Sequence, residues 1–271
     1  FMTQVKYNAF TLPQKPLNTA LKKKEKLFQI FTQIAGKPLI GNKITKKIKP
    51  NNNFNIKESL TEFKSSGTNQ IADLIGTDRT DAFDFLLLAY LDSAGYSERS
   101  KRKSPQKQFH AILERYIFVV KKIQHVIEGS ESNLATADII QGDARLMELA
   151  DQSIDGVLFS PPYSFAINYL ANDSFHLNFM GENIEDLKEK MIGLRGRTIK
   201  EKYSLYVKDM DKVLSECARV LKPSRFCTII VGTNDNQLSK ALNIPKEQVT
   251  GLHKIFIDLA SKQYIIFLKL M

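Results

Sequence analysis

The sequence predicts an α/β protein: a largely parallel sheet with covering helices over residues 131–271, preceded by a mainly helical region over residues 1–130. Three observations point there. Short apolar runs alternate with helix-periodic segments from residue 134 onward. Those runs are apolar on both faces, as buried parallel strands are. The first half shows helical spacing and no comparable strand pattern.

The elements follow in order. Pro13 and Pro16 interrupt the start of the chain, which predicts a weakly ordered opening over parts of residues 1–50, with a charge run at Lys22–Lys26. Leu27, Ile30, Phe31 and Ile34 recur at helical spacing, and Gly36-Lys37-Pro38 closes that helix. Lys43–Asn53 is polar and basic and predicts a linker. Residues 54–78 fit no single pattern. A helix is expected over 80–94, capped by Thr80, with Phe83, Leu86, Leu87 and Tyr90 on its buried face. Tyr96–Gln108 is expected as a basic loop. Phe109–Ile127 predicts a long amphipathic helix with Ile112, Leu113, Tyr116, Val119, Val120 and Ile123 inward, and Gly129 just beyond its end.

In the second half, Ala137–Gln141 predicts a short strand ending in Gly142-Asp143. Ser153–Phe159 predicts another, ending in Ser160-Pro161-Pro162-Tyr163. A helix over 203–221 would bury Leu205, Met210, Val213, Leu214, Cys217 and Leu221, and Lys222-Pro223-Ser224-Arg225 stops it. Phe226–Val231 predicts a buried strand ending in Gly232. A helix over 246–261 and a strand over Tyr264–Leu270 complete the series.

Composition excludes several classes. No apolar run approaches the roughly 18 residues of a membrane helix, and the N-terminus lacks a signal-peptide layout. Cys217 and Cys227 form neither a disulfide framework nor a zinc motif, and the four histidines supply no metal-ligand pair. A cytoplasmic, metal-free protein without a membrane partner is the expectation. The net charge is +10. Residues 1–50 carry 11 Lys/Arg against one acid, whereas residues 131–271 carry 17 Lys/Arg against 18 acids. A basic arm on a neutral body suits a polyanion, because each cation that meets a phosphate releases counterions.

The chemistry gathers at strand ends. In open α/β sheets, ligands bind beyond the carboxyl ends of the strands. Asp143, Ser160–Tyr163 and Gly232–Asp235 would all lie there. Two prolines after a strand remove two N–H donors and leave rigidly directed carbonyls. With Ser160 in front and Tyr163 behind, they offer acceptors beside a flat aromatic face. That combination suits a planar group bearing an exocyclic amine.

Ser160-Pro161-Pro162-Tyr163 resembles the catalytic motif of S-adenosylmethionine-dependent DNA amino-methyltransferases. Ser in first place is commoner in the enzymes that methylate N4 of cytosine than in those that methylate N6 of adenine. The surrounding Gly142-Asp143-Ala144-Arg145, Ser153-Ile154-Asp155-Gly156-Val157, Ala166-Ile167-Asn168-Tyr169 and Ala218–Pro223 are similar to segments of that family. The resemblance covers about residues 134–271. It implies a Rossmann-like class I methyltransferase sheet, S-adenosylmethionine as cofactor and double-stranded DNA as substrate. It implies a flipped base stacked on Tyr163, with its amine held by Ser160 and the Pro161 carbonyl. It also implies cofactor binding at Gly142, Asp143 and Ala144, with Asp143 accepting from the adenine amino group.

The chain departs from the family in two respects, one of them the lack of an acidic residue at a second strand end for the ribose hydroxyls of the cofactor. No Phe-x-Gly-x-Gly loop follows a first strand; the nearest run, Phe63-Lys64-Ser65-Ser66-Gly67-Thr68, has Ser65 where glycine belongs. The sheet would then be incomplete within these residues, with the missing loop upstream of Phe1 or on a partner chain, and residues 1–130 an insertion. A split-enzyme or non-catalytic DNA-binding subunit is one alternative function. An RNA or protein-glutamine amino-methyltransferase is another. DNA contacts are expected from the basic loop residues Arg99, Lys101, Arg102 and Lys103, and from Arg195 and Arg197 on either side of Gly196.

Overall fold

The computed structural model describes residues 2–34, 67–100, 104–129, 135–162, 169–179 and 182–263. In chain order they form α1 (Met2–Ala9), α2 (Gln14–Lys22), α3 (Lys24–Ile34), α4 (67–75), α5 (Thr80–Arg99) and α6 (Pro105–Glu128). Then come β1 (Ile154–Phe159), α7 (Tyr169–Asn172), α8 (Ser174–Phe179), α9 (Ile184–Lys190) and α10 (Ile199–Val220). The order closes with β2 (Leu221–Ile229), α11 (Asp235–Leu242), a 3-10 turn at Lys246–Gln248 and α12 (Leu252–Lys262). The described chain is 65% helical with one two-stranded parallel sheet, so it belongs to the mixed α/β class. None of the described helices is long and apolar enough to cross a membrane.

The chain divides into two units. The helical unit comprises residues 1–139 together with Asp173–Glu182; the sheet unit comprises Ile140–Asn172 and Asn183–Met271. The return of ten residues from the second half to the helical unit has no counterpart in the sequence reading.

In the helical unit the described residues 2–34 are mostly helical where the sequence suggested a broken start, and Gly36-Lys37-Pro38 and Lys43–Asn53 lie outside the described residues. Pro13 precedes α2 as its N-cap, and Pro16 sits in its first turn, where no intrahelical N–H bond is lost. Leu27, Ile30 and Phe31 of α3 pack with Phe83, Leu86, Leu87 and Tyr90 of α5 and Phe109, Ile112 and Leu113 of α6. The Phe31 and Tyr90 rings stack at 5.1 Å, with Phe109 edge-on to both. Thr80 is the first residue of α5 rather than its cap; Arg79 stands at that position and its guanidinium holds Asp81 and Thr11 instead. The expected basic loop is shorter, because α5 runs on to Arg99 and α6 starts at Pro105, with Ser104 accepting from Lys107 N. Val119 is 45% exposed, and Ile117 takes its place in the buried arc of α6.

In the sheet unit, β1 and β2 run parallel, with Gly156 opposite Phe226 and Phe159 opposite Ile229. Ile154 pairs with Leu221, so β2 spends three extra residues before the register resumes. That bulge holds Pro223, which costs no ladder bond there, and Ser224 at φ +61°. Val157, Phe159, Cys227, Ile229 and Val231 face a core made by α10, α11 and α12. On the opposite face Leu158, Phe226 and Ile230 are 70%, 69% and 61% exposed.

Three expectations change here. Ala137–Gln141 forms no strand, because among the described residues no neighbouring strand offers it a ladder. Tyr206, not Leu205, is the buried residue of that turn of α10. The helix expected over 246–261 is split, since Gly251 at φ +82° starts α12 afresh and Leu252 N donates to Thr233 O. The expected strand over Tyr264–Leu270 lies outside the described residues.

Candidate functional site

The Ser-Pro-Pro run leaves β1 at its C-terminal end and is fixed on both sides. The ladder closes with Ile230 N donating to Phe159 O at 3.0 Å. Ser160 Oγ then donates to Ile230 O at 2.9 Å, which uses its one proton and leaves its lone pairs to accept. Pro161 is buried and Pro162 half-buried. The Pro162 carbonyl accepts from the Tyr206 hydroxyl at 3.2 Å. Tyr206 is 1% exposed, so the ring is locked in the α10 face of the core while its hydroxyl reaches the turn. Sequence reasoning missed this anchor; the apolar spacing of α10 pointed one residue away, and a tyrosine on a buried face needs a polar partner. Tyr163 lies outside the described residues.

The Gly142-Asp143-Ala144 element sits on a turn. Leu146 N donates to Asp143 O, and Asp143 Oδ1 accepts from Arg145 N at 2.9 Å. The Arg145 side chain donates to both carboxylate oxygens, Nε to Oδ1 and Nη2 to Oδ2. Its hydrogen bonds and charge hold the Asp143 carboxyl below the usual carboxylate range. Among the described residues nothing stands within 4 Å of the space a side chain on Gly142 would take, so a flat ligand has room to approach the backbone there.

Arg145 also reaches Asp209 and the Lys190 carbonyl. Asp209 is 2% exposed and accepts from Arg195 Nη2 at 2.6 Å through both oxygens. The guanidinium of Arg195 is therefore committed to a buried carboxylate in α10. Asp143 and Arg195 belong to one ionic chain, Asp143–Arg145–Asp209–Arg195. Among the described residues no hydrogen bond links that chain to the Ser160 turn. A second set of anchors lies beside it. Met147 N donates to Glu216, and Arg219 donates to the Met147 and Leu149 carbonyls and to Asp151. Residues 143–151 are thus held to α10 by polar groups.

Arg197 is exposed, and its backbone N–H donates to Glu201, whose own N–H caps on Thr198. Gly196, at φ +102°, lies between the two arginines; a Cβ there would stand 3.0 Å from Lys202 N. Arg99 ends α5, and Lys101, Arg102 and Lys103 lie outside the described residues. Of the run resembling a cofactor loop, Gly67 belongs to α4, with the Phe83 ring and Ile34 against it. Among the described residues no group of three or more His, Cys, Asp or Glu is placed to hold a metal.

No family model, curated protein or solved structure matches the chain.

Proposed function

We propose that the chain is an S-adenosylmethionine-dependent DNA amino-methyltransferase, with N4 of cytosine preferred over N6 of adenine. The observation that carries the reading is the Ser160-Pro161-Pro162-Tyr163 run at the carboxyl end of β1, pinned through Ser160 Oγ and the Pro162 carbonyl. Preset acceptors are what an amine nucleophile needs. Ser160 Oγ and the Pro161 carbonyl accept the amino hydrogens of a flipped base, and the nitrogen lone pair stays free for the incoming methyl group. Tyr163 stacks on the ring, which offsets part of the cost of unstacking. S-adenosylmethionine would supply the electrophilic methyl and depart as S-adenosylhomocysteine, and the proton released from the methylated nitrogen would pass to solvent. Gly142, Asp143 and Ala144 are the residues to hold its adenine: Asp143 is an acceptor, half of its side chain reaches solvent, and the space beside Gly142 is open.

A second reading is favoured by two observations: the sequence has no Phe-x-Gly-x-Gly loop, and one face of the β1–β2 pair is apolar and exposed. In that reading the chain is one subunit of a split enzyme, and a partner chain brings the cofactor loop. RNA and protein glutamine amides are substrates with the same amine chemistry. Calorimetric titration of the purified chain with S-adenosylmethionine tests the first reading against the second. Saturable binding weakened by Asp143→Ala supports the first. An isolated chain that binds nothing supports the second and removes the first.

A further inference from the structure

The ten residues Asp173–Glu182 begin ten positions after Tyr163, and they pack with the helical unit although the chain on both sides belongs to the sheet unit. Within them α8 has six residues, far below the length at which a helix holds itself in water. His176 in this helix is 6% exposed. His176 Nε2 lies 2.8 Å from Asp92 Oδ1 on α5. Facing a carboxylate, that nitrogen is the donor. The other carboxylate oxygen, Oδ2, accepts from the Tyr116 hydroxyl on α6. Asp92 thus spends one oxygen on each of two elements. Burial alone would raise its carboxyl, yet the His176 and Tyr116 hydrogen bonds and the charges of His176 and Lys6 hold it below the usual range.

We propose that His176 is a positioning residue: through Asp92 it fastens Asp173–Glu182 to the helical unit and so restrains the chain that follows the Ser-Pro-Pro-Tyr run. The restraint is local chemistry and stands whether or not the chain transfers methyl groups. Its effect on turnover rests on the proposed function.

The test is amide hydrogen exchange of the full chain, comparing wild type with His176→Leu, His176→Gln and Asp92→Asn. The reporters are Leu177 N–H, bonded to Asp173 O, and Glu182 N–H, bonded to Leu177 O. Loss of a hydrogen bond to a charged group predicts at least about tenfold faster exchange at both in His176→Leu and in Asp92→Asn. His176→Gln keeps a donor and is expected to restore most of the protection. Amides in the middle of α6 keep their wild-type rates. Unchanged exchange over 174–182 overturns the proposal, as does an equal loosening of α6, which would make His176 an ordinary core residue. Asp92→Asn decides the matter if His176→Leu fails to fold. In methyl-transfer assays, a lower kcat for His176→Leu at unchanged S-adenosylmethionine affinity ties the restraint to turnover. A wild-type chain without activity would instead count against the proposed function and leave the exchange result standing.

Discussion

A Cβ on Gly67 would stand 2.9 Å from Phe83 Cε2 and 3.0 Å from Ile34 Cδ1, closer than side-chain carbons normally come. Gly67→Ala therefore has to displace the ring, and the clash outweighs the better helix propensity of alanine. Thermal denaturation should show a loss of about 1–3 kcal/mol. Single residues also set the acid response of the sheet unit. The Arg219 guanidinium and the Met147 N–H pull the Glu216 carboxyl down to about 2 from its ordinary 4.5. A depressed carboxyl adds stability that is complete above the unfolded value and is lost as pH falls through the folded one. The sheet unit should thus weaken between about pH 4.5 and 2, and Glu216→Gln should flatten that part of the curve in denaturation followed against pH. Asp143 carries two assignments: it ties a turn through Arg145, and it is the residue proposed to meet the adenine of the cofactor. Asp143 itself was singled out from the sequence. The guanidinium that Arg195 gives to Asp209 was not, because the partners lie 14 positions apart across a loop and a helix.

At the scale of elements, β1 has one face in the core and one bare. Leu158→Thr on the bare face should change stability by less than about 0.5 kcal/mol, whereas Phe159→Ala on the core face should cost about 2–4 kcal/mol. Chemical denaturation of the pair checks which way the strand faces. Tyr206→Phe keeps the buried ring and removes the bond to the Pro162 carbonyl, so a loss of about 0.5–1.5 kcal/mol is expected. Helices with strong apolar periodicity were readable from the sequence: Leu27, Ile30, Phe31, Phe83, Leu86, Leu87 and Tyr90 are all buried. Strands were readable where a partner exists. Ile154–Phe159 and the run from Phe226 pair with each other; Ala137–Gln141 also carries an apolar run but lacks a ladder among the described residues. An apolar run states what a segment would bury, and the neighbouring strand decides whether it does. The opening of the chain failed in the other direction. Two prolines suggested irregular structure, yet each stands where a helix tolerates it.

For the whole molecule, a basic helical unit and a small parallel α/β unit are joined by a chain that passes between them more than once. In the sequence, the charge excess of residues 1–50 and the strand–helix alternation after residue 134 set two regions apart. The return of Asp173–Glu182 was hidden, because its contacts, such as the buried His176–Asp92 pair, join positions 84 residues apart. The functional account rests on the turn at the end of β1. Transfer of labelled methyl from S-adenosylmethionine to duplex DNA, by the wild-type chain beside Pro162→Ala and Tyr163→Ala, tests it most directly. The account predicts label on an exocyclic amine, N4 of cytosine before N6 of adenine, and its loss in both variants. Undiminished transfer by either variant would contradict it.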